Sequence, residues 1–136
     1  MLGRLIATIE AQDQKREIGA ERFVREQRIL DELAPRTWQS LRTALKAESD
    51  KYPSHFTFEV RPNTEAVIRG KGRKPKVLEI GFLSESKTVW VRCGDLDDEY
   101  SIRLDDQAKA VVCDADGQVY SSVKLLAERL LALVLN

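Results

Sequence analysis

The stretch VKLLAERLLALVL, Val123 to Leu135, decides how this 136-residue chain is read. Lys124, Glu128 and Arg129 are its only polar residues, and helical spacing places all three on one narrow face. A helix that is apolar over most of its circumference must be covered on more than one side. Side chains of this kind contribute roughly 1.5–3 kcal/mol each on burial, before entropy. The segment therefore predicts a C-terminal helix packed on a sheet. Its second cover must come from the N-terminal helices or from another copy of the chain. Ser121 or Ser122 is the expected N-cap, because a serine oxygen there accepts from a free backbone N–H.

Upstream of that helix the apolar period is 2, the signature of half-buried strands. Phe56, Phe58 and Val60 alternate with Thr57, Glu59 and Arg61, and Arg61-Pro62-Asn63 ends the run. Glu65 to Arg69 gives a second short strand. Leu78, Ile80 and Phe82 mark a third, and Val89, Val91 and Cys93 a fourth. Gly94 to Asp98 reads as an acidic turn, before a fifth strand through Tyr100, Ile102 and Leu104. Ala108, Ala110 and Val112 form a weaker sixth, closed by Asp114-Ala115-Asp116-Gly117. Connections this short hold no crossover helix, so neighbouring strands must pair antiparallel in a meander of five or six strands.

The N-terminal third is helical. Leu2, Leu5, Ile6 and Ile9 recur at three- and four-residue spacing, and Phe23, Leu30 and Leu33 do the same beyond the polar stretch Glu10–Glu17. One continuous helix over 2–33 is preferred to two helices broken at Gly19, since no second turn-former stands beside that glycine. Pro35 is expected to end it and to open a second helix running to Asp50, with Trp38, Leu41, Ala44, Leu45 and Glu48 along its stripe. The fold class is α+β in a single domain over 1–136, with a helical portion (1–50) and a sheet-plus-helix portion (51–136) sharing one core. Trp90, Val67, Val77 and Val111 fall on the second face of the sheet, where the N-terminal helices are expected to cover them.

Apolar residues make up 43% and charged residues 32% of the chain, a globular composition. The 22 cations balance the 22 acids, so no overall field draws the molecule to nucleic acid or to an anionic membrane. Charge is nonetheless segregated. Seven cations face only Glu59 and Glu65 between 51 and 76, while Arg103 and Lys109 alone oppose the acids between 94 and 116. The N-terminal apolar run is too short for a signal peptide, and nothing approaches the roughly 18 apolar residues of a membrane span. A cytoplasmic protein without membrane partners is expected. Cys93 and Cys113 read as small hydrophobes at strand ends rather than as metal ligands or a disulfide.

The most conspicuous polar feature is the turn carrying Arg69, Lys71, Arg73, Lys74 and Lys76. It lacks the Gly-Lys-Ser/Thr ending of a phosphate-binding loop. It could touch nucleic-acid phosphates, but a solvated turn that discourages edge-to-edge sheet pairing explains it more simply. The acidic turns lack the ligand spacing of a calcium loop and match hairpin chemistry. His55 has no sequence neighbour that would make a nucleophile–base pair, and Glu59 and Glu79 are an unmotivated carboxylate pair. The sequence thus predicts no catalytic residue, no cofactor and no metal. The leading expectation is a non-catalytic interaction or adaptor module, binding another protein or itself. Leu2, Leu5, Ile6 and Ile9 of the first helix and Leu126 and Leu133 of the last are the candidate association residues. The alternative is a nucleic-acid accessory protein using residues 69–76. A third is a ligand-binding or hydrolytic domain with a pocket collecting His55, Glu59 or Glu79.

Overall fold

Alternating side chains build one twisted sheet. The computed structural model of the chain describes residues 2–62 and 65–135, so Asn63, assigned to a turn by the sequence, lies outside the described residues. A helix α1 (Leu2–Asp50) precedes β1 (Phe56–Arg61), β2 (Glu65–Gly70), β3 (Val77–Leu83), β4 (Thr88–Cys93), β5 (Leu96–Leu104), β6 (Ala110–Cys113) and β7 (Val119–Tyr120). A helix α2 (Val123–Leu135) follows. The strands pair antiparallel in sequence order, a pure meander of seven strands where the sequence predicts five or six. The extra strand, β7, is only two residues long and carries no readable alternation. β5 starts at Leu96, not after the acidic run. The turn is Gly94-Asp95 alone, between the paired Cys93 and Leu96, with Gly94 at φ 60° as a two-residue hairpin with glycine first requires.

Both helices lie on one face of the sheet. Ile68, Leu78, Ile80, Val89, Val91, Ile102 and Val112 point into a core shared with Trp38, Leu41 and Leu45 of α1 and with Leu126 and Leu130 of α2. The second cover predicted for α2 is the C-terminal half of α1, which packs along it, while β2, β3 and β7 supply the other side. Ser122 is the N-cap, its Oγ accepting from the Leu125 N–H at 3.4 Å. Where β2 passes the end of α2 the approach is close. A Cβ added at Gly70 would stand 2.9 Å from the Val134 side chain.

Three expectations need correction. Pro35 does not end the first helix: α1 runs unbroken for 49 residues. The proline removes the hydrogen bond to the Asp31 carbonyl, a cost of about 3 kcal/mol inside a helix. Burial of Ala34, Trp38, Leu41 and Leu45 around it offsets that cost, and the ring itself faces solvent. Next, no described helix covers the second face of the sheet. Its main cover is its own side chains, with Trp90 lying across Gly81 and Arg92 stacked on the indole, 5.2 Å from the ring centroid. Finally, Leu126 is wholly buried and Leu133 is half-buried against the core. Leu126 thus packs inside the chain rather than on an outer surface of α2, while Leu133 stays partly accessible.

Candidate functional site

The buried row of α1 does not stop where the sheet stops. Leu45, Leu41, Trp38 and Ala34 are buried, and steps of three and four residues carry the same row back through Leu30, Gln27, Phe23, Ala20, Arg16, Asp13, Ile9, Ile6 and Leu2. At about 100° per residue these positions stay on one side of the helix along its whole length, roughly 74 Å. Only the second half has a cover. Every residue from Leu2 to Arg25 is exposed, with Leu2 at 76%, Ile9 at 56% and Phe23 at 61%, against 0% for Leu45. Leu5 and Val24 broaden the exposed stripe on either side.

Local interactions add little to this segment. The Thr8 hydroxyl donates to the Arg4 carbonyl (2.8 Å), and Arg22 pairs with Glu26 one turn on (3.1 Å). An exposed pair of that kind contributes about 0.3–0.5 kcal/mol, whereas Gly19 in mid-helix costs about 1 kcal/mol. Helices in water without packing are marginal, and most helical stability in proteins comes from a packed apolar face. Among the described residues, nothing covers such a face on this half of α1. Four predicted association residues, Leu2, Leu5, Ile6 and Ile9, belong to it. Phe23, Ala20 and Val24 extend it, and the sequence reading did not join them to the first four. The signal was the unbroken phase of the stripe across the polar stretch.

The basic turn is spread out. Lys71 is tied down, its Nζ donating to the Pro53 carbonyl (2.7 Å) and its backbone N–H to the His55 carbonyl (3.0 Å). Arg69 projects from β2 on the outer face, beside Thr57 and Val77. Lys76 is half-buried, and Arg73 and Lys74 stand exposed in the loop. The five cations thus differ in setting: one anchored, one on the outer sheet face, one half-buried and two exposed in the loop. Comparisons with protein-family models, with curated proteins and with solved structures find no match.

His55 lines a cleft of about 480 Å³ between the end of α1 and α2, with Glu48, Tyr52, Phe56, Glu128 and Leu131. Glu48 is largely buried and accepts from Lys51 Nζ at 2.8 Å, a hydrogen bond that raises the lysine pKa. Glu59 and Glu79 are elsewhere. They share the outer row Glu59, Val67, Glu79, Arg92, Asp97 that crosses β1 to β5, two strand spacings or about 10 Å apart. The set His55, Glu59, Glu79 is therefore not brought together.

The acidic turns employ their carboxylates locally. Asp105 Oδ1 accepts from the N–H groups of Gln107 and Lys109, and Asp114 Oδ1 from those of Asp116 and Gln118, at 2.8–3.0 Å. Among the described residues no group of three or more His, Cys, Asp or Glu side chains could hold a metal ion, and no helix is long and apolar enough to cross a membrane. Cys93 and Cys113 are buried free thiols, and burial pushes the Cys93 thiol pKa up.

Proposed function

We propose that this chain is a non-catalytic interaction module that self-associates through the N-terminal half of α1. The observation that carries the reading is the stripe itself. One helix face is buried without gap from Ala34 to Leu45 by the chain's own sheet and α2, and the same row runs on uncovered from Phe23 to Leu2, apolar except at Asp13 and Arg16. Large exposed apolar surfaces on soluble domains mark contact sites, and an amphipathic helix is read by such a partner at three- and four-residue anchors. The free thiols accord with residence in a reducing compartment such as the cytoplasm.

Light scattering on the eluting peak of a sizing column tests the proposal. At high micromolar concentration the chain is expected to run at a multiple of its 15.5 kDa mass. Ile9→Lys is expected to return it to a single chain with an unchanged thermal midpoint for the sheet domain, since Ile9 touches none of it. A wild-type chain that stays monomeric overturns the proposal. So does an Ile9→Lys variant that associates as well as the wild type.

A further inference from the structure

The uncovered stripe has a polar centre. Asp13 and Arg16 occupy the same row as Ile6, Ile9, Ala20 and Phe23, so that an apolar block lies on either side of one acid and one base. In a parallel, in-register pair of these helices Asp13 would face Asp13 and Arg16 would face Arg16, setting like charges together inside the contact. Reversing one helix changes every partner. With the two helices antiparallel about a centre between residues 14 and 15, Asp13 of each copy faces Arg16 of the other. The same register sets Ile6 against Phe23 and Ile9 against Ala20.

Resting on the self-association reading above, we infer that the occupant of this face is a second copy of the chain, in an antiparallel two-helix contact registered by reciprocal Asp13–Arg16 ion pairs.

Two further observations support that orientation. The sheet and α2 occupy the stripe side of α1 from Ala34 onward. A parallel partner would bring two such heads to the same level on the same side, where they compete for space. The antiparallel register keeps them at opposite ends, and Leu2 of one copy reaches Gln27 of the other, just short of Leu30, where packing on the head begins. The second observation concerns specificity. Buried ion pairs add little net stability but fix register well, because leaving one charge unpaired is costly. Glu10 and Glu17 of opposite copies fall near each other along one rim, a repulsion that solvent and salt screen.

Cysteine cross-linking reads the geometry directly. Ile9→Cys and Ala20→Cys chains are oxidised mildly, separately and after mixing and re-annealing, with the wild type as control for the two buried native thiols. A covalent dimer containing one chain of each variant, formed only in the mixture, is expected. Cross-linking of Ile9→Cys to itself would show the parallel arrangement and overturn the inference. No cross-link in any sample, with light scattering still giving a dimer, removes this register and leaves self-association standing. A single-chain mass removes both. Charge reversal supplies a second reading. Asp13→Lys is expected to weaken the dimer at least roughly tenfold, and Asp13→Lys with Arg16→Glu to restore it. In a parallel pair all three proteins would associate alike, which would also overturn the inference.

Discussion

Tyr100 shows how one side chain ties strand, turn and helix together. Its ring meets Tyr120 edge-on at 6.1 Å, the Tyr120 hydroxyl reaches Asp114 at 3.4 Å, and the Arg129 guanidinium lies over the Tyr120 ring at 5.6 Å. This small cluster fastens the middle of α2 to β5, β7 and the turn between β6 and β7. Burial, and secondarily the charge of Asp98, push the Tyr100 phenol pKa up to about 12. The folded chain therefore keeps a proton that the unfolded chain gives up near pH 10. Stability from this group is complete below about pH 10 and is lost as the pH rises toward 12, by on the order of 2 kcal/mol. Chemical denaturation between pH 9 and 12 should show that loss in the wild type. In Tyr100→Phe the decline is expected to be shallower by that amount. An identical decline in both proteins would show that the phenol is not held in its neutral form.

At the scale of elements, α1 is decided by packing over propensity. Pro35 is exposed, so its ring contributes no core contact, and its cost is the lost bond to the Asp31 carbonyl together with crowding of that turn. Pro35→Ala should restore the bond and raise stability by about 1–3 kcal/mol, less whatever the proline contributes by stiffening the unfolded chain. Equilibrium urea unfolding measures it, and a destabilised variant would mean that the proline is needed where it stands. The same residue explains why the sequence predicts two helices where the chain forms one. Backbone rules forbid what four buried side chains around the proline enforce, and a sequence shows the rule but not the burial. The strands were legible because one face is dry, which makes Leu78, Ile80, Val89 and Val91 alternate cleanly. The start of β5 was hidden because Asp97 and Glu99 sit on the wet face and Asp98 is only half-covered, so the run resembles a turn. The candidate site was half legible. Leu2 to Ile9 stood out as an apolar block, but its alignment with Phe23 and with the buried row beyond Ala34 exists only if the helix passes Gly19 and Pro35 unbroken.

At the scale of the molecule, the meander turns separation along the chain into separation in space. The cation-rich segment 51–76 forms β1 and β2 at one side of the sheet, and the acids between 94 and 116 gather toward the other, around β5 and β6. The proposed pairing sets two such heads at opposite ends of a shared helical rod and leaves both charged sides open to solvent. On the proposed pairing, the N-terminal half of α1 owes its stability as a helix to the cover its partner supplies. Amide hydrogen exchange read residue by residue tests that dependence most directly, comparing the wild type with Ile9→Lys at high micromolar concentration. The account predicts that the amides of residues 2–25 are protected in the wild type and exchange freely in the variant, while those of Ala34–Ser49 are equally slow in both. Residues 2–25 exchanging freely in the wild type, or remaining equally protected in Ile9→Lys, would contradict it.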